Sequence, residues 1–175
     1  MKLHLGCGNV RIPGFIGVDS RDLPAVDQVG PVDKLPMSDN SVELIYACHV
    51  LEHFGRNDTS RVLKEWHRVL KPGGTLRLAV PDFEAVVKVY AETKNLGLLL
   101  GHLVGRQDYP ENTHYMVFDF TLLFDILNRV GFRDIRRYHW RETIHKDYDD
   151  YSQGYYPHMN KDYGRLMSLN IECEK

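Results

Sequence analysis

Residues 2–19 read KLHLGCGNVRIPGFIGVD, and the fold turns on how that run divides. KLHL alternates and breaks at Gly6-Cys7-Gly8, the pattern of a strand running straight into a glycine turn. GFIGVDS (14–20) is a second short β-branched run, closing on Asp19. Between the two, NVRIPGF contains Pro13 and Gly14 and has room for little more than one turn of helix. A strand, a glycine turn, a shortened helix and a strand ending in an acid open a parallel sheet.

Working outward, SVELIYACH (41–49) follows a Pro/Gly/Asp-rich stretch and reads as a buried strand. A helix is predicted over 58–70. Asp58, Thr59 and Ser60 offer N-caps, while Val62, Leu63, Trp66, Val69 and Leu70 repeat at helical spacing. KPGG (71–74) stops it, and TLRLAV (75–80) is the next strand, closed by Pro81 and Asp82. FEAVVKVYAET (83–93) reads as an amphipathic helix that Asp82 can cap. LGLLLGHLVG (96–105) is helix-like but broken by glycines. TLLFDILNRVG (121–131) is a helix with Thr121 at its start and Gly131 beyond its end. FRDIRRY (132–138) and LMSLNIECE (166–174) read as the last two strands. The expected fold is one α/β domain over 1–175, a mostly parallel sheet with helices on both faces and an antiparallel C-terminal strand. Residues 1–95 form a cofactor-binding half, and 96–175 supply substrate or lid elements and the terminal strands.

Composition narrows the function classes. The chain has 175 residues, 43% hydrophobic and 26% charged, with a formal net charge of −2. There is no basic footprint for duplex nucleic acid. Three cysteines without C-x-x-C spacing argue against a disulfide framework or a thiolate zinc site. No apolar run is long enough to span a membrane and the N-terminus lacks a signal-peptide core, so a reducing cytoplasm is the expected location.

Gly6–Gly8, Asp19, Asp33, Cys48–His53 and Pro81–Asp82 all fall at strand C-termini, where open α/β sheets bind ligands. Glycines after a first strand and an acid after a second suit a nucleoside, the acid accepting from the ribose hydroxyls. The third glycine of the dinucleotide fingerprint is missing and Asp19 comes too early for it. No helix N-terminus is expected to face a pyrophosphate. NAD and FAD are therefore disfavoured, and a phosphate-free nucleoside, S-adenosylmethionine, fits better.

HVLEH (49–53) matches the inverted zinc-peptidase signature through His49, Glu52 and His53. That reading needs a long helix and a third protein ligand. Here His49 follows directly on a buried strand and Gly55 follows closely on His53, so a strand-end turn is expected, and no metal. A zinc hydrolase stands as the remote alternative.

The pieces LHLGCGN, GVD, DKLPMSDNSVELIYACHVLEH and EWHRVLKPGGTLRLAVPD, in this order, resemble the class I S-adenosylmethionine-dependent methyltransferases. Within them, the chain resembles a type-11-like group of sugar and glycan pathways. The resemblance implies that Gly6, Cys7 and Gly8 pack on the methionine part of the cofactor and that Asp19, followed by Ser20, holds the ribose. It places Asp33 at the adenine amino group with Lys34 and Leu35 beside the ring, and Cys48, His49 and His53 at the methionine end. Arg11 is a candidate partner for the methionine carboxylate. Methyl transfer to a hydroxyl needs a base, and the candidates in order are His114, His49, His53 and Asp82, with Glu52 also considered. The implied partner is a small acceptor, sugar-linked on the resemblance. A binding protein without turnover is the alternative. The Tyr/His-rich stretch 139–163 reads as a substrate lid, a homodimer surface or a loose insertion, and these stay open.

Overall fold

The computed structural model describes residues 1–175. Nine strands form: β1 (Lys2–Leu5), β2 (Ile16–Asp19), β3 (Gln28–Val29), β4 (Val42–Cys48), β5 (Leu70–Pro81), β6 (Arg133–Arg137), β7 (Tyr155–Tyr156), β8 (Arg165–Leu166) and β9 (Ser168–Glu174). The helices are α1 (Thr59–Val69), α2 (Phe83–Thr93), α3 (Leu100–Val104) and α4 (Phe120–Val130). Seven strands make one sheet in the order β3-β2-β1-β4-β5-β9-β6, while β7 and β8 pair as a separate hairpin. The β1–β2, β2–β3, β1–β4 and β4–β5 pairs are parallel, and β9 runs antiparallel to both β5 and β6. The sheet is thus Rossmann-like, with one reversed strand near its C-terminal edge. No helix is long and apolar enough to cross a membrane.

Period-two alternation sorts the two faces. Leu3 and Leu5 of β1, Leu76, Leu78 and Val80 of β5, and Leu169, Ile171 and Cys173 of β9 point into one core. There they meet Val62, Leu63 and Trp66 of α1 and Leu123 and Leu127 of α4. The alternate positions carry His4, Arg77, Asn170 and Glu172, an unusually polar second face. Arg77 and Arg136 both donate to Glu172 across it.

The expected short helix between β1 and β2 is absent. Asn9–Phe15 runs only through turns, because Pro13 and Gly14 interrupt any helical ladder. The polar face is covered instead by the stretch after β6. His145 stacks on Tyr46, ring centroids 3.9 Å apart, and His4 stacks on the same ring. The Tyr46 hydroxyl donates to Asp150 at 2.5 Å, and Asn170 Nδ2 donates to the Ser152 carbonyl. Residues 139–166 are therefore docked on the sheet through its polar side chains.

Three local boundaries differ from expectation. The strand β5 begins at Leu70, so KPGG lies inside it at a register shift against β4 rather than ahead of it. The N-cap of α4 is Asp119, whose carboxylate accepts from Leu122 N, rather than Thr121. The strand β3 and the β7–β8 hairpin have no counterpart in the sequence reading, being two residues long per strand and too short to show a period.

Candidate active site

The C-terminal ends of β1, β2 and β4 open onto a cleft of about 990 Å³. Its floor is the glycine turn. Gly6 sits at φ +62, and a Cβ there would come within 2.4 Å of Val50 Cγ2. The turn is held by Gly6 N donating to the Val18 carbonyl and by Gly8 N donating to Asp19 Oδ2 at 2.9 Å. Asp19 is 5% exposed, and its other oxygen accepts from Arg21 N at 3.0 Å. One buried carboxylate thus joins the two turns and keeps spare lone pairs toward the cleft. With only turns at Asn9–Phe15, no helix dipole faces the glycines. These residues fit an adenosine without phosphates.

The next wall, Pro31–Asp33, is stapled to α1. The fully buried Trp66 donates its indole N–H to the Val32 carbonyl at 2.9 Å. Arg61 pairs with Asp33 at 2.8 Å, Glu65 accepts from Leu35 N at 2.7 Å, and Arg68 donates to the Leu35 and Met37 carbonyls. Helix α1 therefore holds in place the loop that forms this wall of the cleft.

The remaining wall carries imidazoles. His49 follows directly on β4 in the left-handed region, φ 54, with its N–H tied to Ala79 O and its Nε2 3.1 Å from Ser168 Oγ. Leu51–His53 is a single 3-10 turn, as the strand-end reading of HVLEH requires. Glu52 has no exposed surface. Burial pushes its carboxyl up, but the His49 imidazole beside it, and then His53, outweigh burial and hold it below the usual range. His114 approaches His53 edge-on, centroids 5.0 Å apart. Burial lowers the pKa of His114 and of His102, which keeps both rings neutral near pH 7.

Of the predicted residues, Gly6, Cys7, Gly8, Asp19, Ser20, Asp33, Cys48, His49, His53 and His114 line this one cleft. Four do not. Asp82 caps α2 by accepting from Glu84 N and Ala85 N and faces Arg137, away from the cleft. Lys34 is exposed, and Leu35 is buried in the main core because its loop turns inward onto α1. Arg11 is engaged with Asp27 at 2.6 Å. Burial raises the Cys7 thiol to about 11 and Cys48 well above its usual range, so neither is a thiolate nucleophile. Sequence reasoning did not single out Phe54, His102 and Tyr115, which also line the cleft, and it offered Asp150 and Tyr151 only within the stretch 139–163. Only the docking of 139–166 brings the last two there.

Structures of known proteins share this architecture. A possible histamine N-methyltransferase of Thermotoga maritima superposes with a TM-score of 0.59 at 20% identity, over 99% of this chain and 81% of that one. The fold is that of a class I methyltransferase. A 1,6-didemethyltoxoflavin N1-methyltransferase of Burkholderia thailandensis, crystallised with its acceptor and S-adenosylhomocysteine, shares the same methyltransferase fold. It has a TM-score of 0.59 at 15% identity, over 99% of this chain and 70% of that one. Residues 13–78 match the family model described as a methyltransferase domain. An uncharacterized 37.1 kDa protein of a Streptomyces fradiae transposon is 34% identical over 114 residues, 51% of this chain. The chain spans 32% of the length of that relative.

Proposed function

We propose that this chain is an S-adenosylmethionine-dependent methyltransferase acting on a hydroxyl or amine of a small acceptor, with a sugar or glycan precursor as the acceptor class. The observation that carries this reading is the continuity of one cleft. Its glycine turn, Asp19 and Asp33 suit adenosine, and its other end is lined by His49, His53 and His114. S-adenosylmethionine, when bound, supplies an electrophilic methyl on a sulfonium.

The chain's own contribution is position and proton handling. Asp19 accepts from the ribose hydroxyls beside the amides it already holds. The Gly6–Gly8 backbone lets the methionine part lie against it without a Cβ in the way. His53 and His114 each donate Nδ1–H to a backbone carbonyl, Thr113 and His102 respectively, at 3.1 Å, which leaves Nε2 free to meet an acceptor's proton. Tyr115 and Tyr151, both 64% exposed on the cleft, offer flat faces on which a sugar ring can stack.

Calorimetry separates the two ends of the cleft. Asp19→Ala abolishes S-adenosylhomocysteine binding, whereas His114→Ala binds it normally and turns over slowly with a methyl-labelled donor. Retained binding in the Asp19 variant refutes the site assignment. Binding without turnover across a broad acceptor screen identifies a binding protein instead.

A further inference from the structure

Glu52 is fully buried, and neither of its carboxylate oxygens accepts a hydrogen bond. His49 Nδ1 lies 3.1 Å from Oε1, but off the direction a hydrogen bond requires. Apart from that near contact, a fully buried carboxyl with no donor on either oxygen is costly unless a further partner completes it. Beside it stand two imidazoles in one and the same arrangement. His53 Nδ1 is 3.1 Å from the Thr113 carbonyl and His114 Nδ1 is 3.1 Å from the His102 carbonyl. A carbonyl can only accept, so in the neutral rings Nδ1 carries the proton and Nε2 presents a lone pair. Metal-ligating histidines usually donate their other ring N–H in this way.

A ligand atom from each of Glu52, His53 and His114 lies within 4.8 Å of the other two. Ligands sharing an ion at about 2.1 Å stand roughly 3–3.5 Å apart, so side-chain rotations of about 1 Å close the set. The backbone is already clamped for this. Tyr115 N and Met116 N both donate to the Glu52 carbonyl, and His114 N donates to Val104 O, tying the loop after α3 to the turn after β4.

We propose that Glu52, His53 and His114 bind a divalent first-row transition cation whose remaining coordination positions open into the cleft. Two imidazoles and one carboxylate select such a cation over magnesium or calcium, which favour all-oxygen shells. HVLEH fails as a peptidase signature because its histidines are not on a long helix. Its Glu52-His53 half nevertheless gains a third ligand from a distant loop. The two histidines line the cleft, and Glu52 lies behind them.

The chemical role rests on the methyltransferase reading, while the binding site does not. A cation here takes the acceptor's hydroxyl oxygen as a further ligand and lowers its pKa. The hydroxyl proton leaves to solvent through the open cleft. An oxygen lone pair then forms the O–CH3 bond as the S–CH3 pair returns to sulfur. His53 and His114 are then ligands rather than bases, and the acceptor is an oxygen nucleophile.

The test uses the full chain stripped by a chelator, titrated with Co2+ followed by visible absorption and, in parallel, with S-adenosylhomocysteine by calorimetry. The expected result is one Co2+ per chain. Its affinity falls by at least roughly 10-fold in His53→Ala and in His114→Ala, while His114→Ala keeps the nucleoside affinity of the parent. Glu52→Gln, checked for folding by circular dichroism, is expected to lose the ion as well. Substoichiometric Co2+, or binding that survives in the double histidine variant, overturns the proposal. A chain that takes Co2+ but not S-adenosylhomocysteine keeps the cation site and removes the methyltransferase reading. The reverse result removes the cation site alone.

Discussion

Trp66→Phe separates packing from positioning in α1. The indole is fully buried and its N–H meets the Val32 carbonyl at 2.9 Å. Phenylalanine keeps most of the apolar contact but leaves that carbonyl unpartnered, a cost of about 1–3 kcal/mol. The smaller ring also leaves roughly 40 Å³ of space, about 1 kcal/mol at the usual cavity coefficient. Together these predict a loss of about 2–4 kcal/mol in urea denaturation. The Val32–Asp33 wall keeps its Arg61 tether, so S-adenosylhomocysteine affinity falls only modestly, by about 3- to 10-fold, equivalent to roughly 1 kcal/mol. Val62→Ala is the control. It lies on the same buried face of α1 and belongs to the main core. It should lose about 1–3 kcal/mol of stability with affinity unchanged. Equal affinity in the Trp66 variant and the parent, at a measured stability loss, would refute the idea that α1 holds the adenosine wall in place.

The other predictions concern the glycine turn and the polar face. Gly6→Ala puts a Cβ 2.4 Å from Val50 Cγ2 at φ +62, so nucleoside binding should be lost and the thermal midpoint should drop; wild-type affinity in calorimetry would contradict the packing. Lys34→Ala, being exposed and off the cleft, should bind S-adenosylhomocysteine as the parent does. Acid should unfold the chain through His4 and His145. Burial holds both at about 4, below the 6.5 of the unfolded chain, so the unfolded state takes protons first. Their stabilisation is complete above pH 6.5 and falls away between pH 6.5 and 4. The loss is at most about 3 kcal/mol per ring. Urea midpoints at a series of pH values check this, and an unchanged midpoint between pH 7 and pH 4.5 would contradict it.

Most of the sheet could be read in advance because its strands declare themselves by alternation. Leu3 and Leu5, or Leu169 and Ile171, are separated by residues that face the polar side, and Asp19 ends its strand in plain view. Elements without a period were invisible. Two-residue strands carry no pattern, and Pro13 and Gly14 abolished the first helix rather than shortening it. Among the candidate site residues, those on strand ends share one cleft because β1, β2 and β4 bring them together by topology alone. Lys34 and Leu35 were misplaced because a loop's facing depends on its tethers, here Glu65 and Arg68, which no local signal reveals. Asp82 was legible twice over, as a cap and as a base, and its backbone donors decide for the cap. The convergence of His114 on Glu52 depends on a backbone clamp between distant loops, and spacing within HVLEH could not show it.

The central claim is that the glycine turn and Asp19 form a seat for adenosine without phosphates. A calorimetric titration of the unaltered chain with S-adenosylhomocysteine, followed by NAD under the same conditions, tests it most directly. One equivalent of S-adenosylhomocysteine bound, with no heat from NAD, is the predicted result. Tight binding of NAD by a chain indifferent to S-adenosylhomocysteine would contradict it.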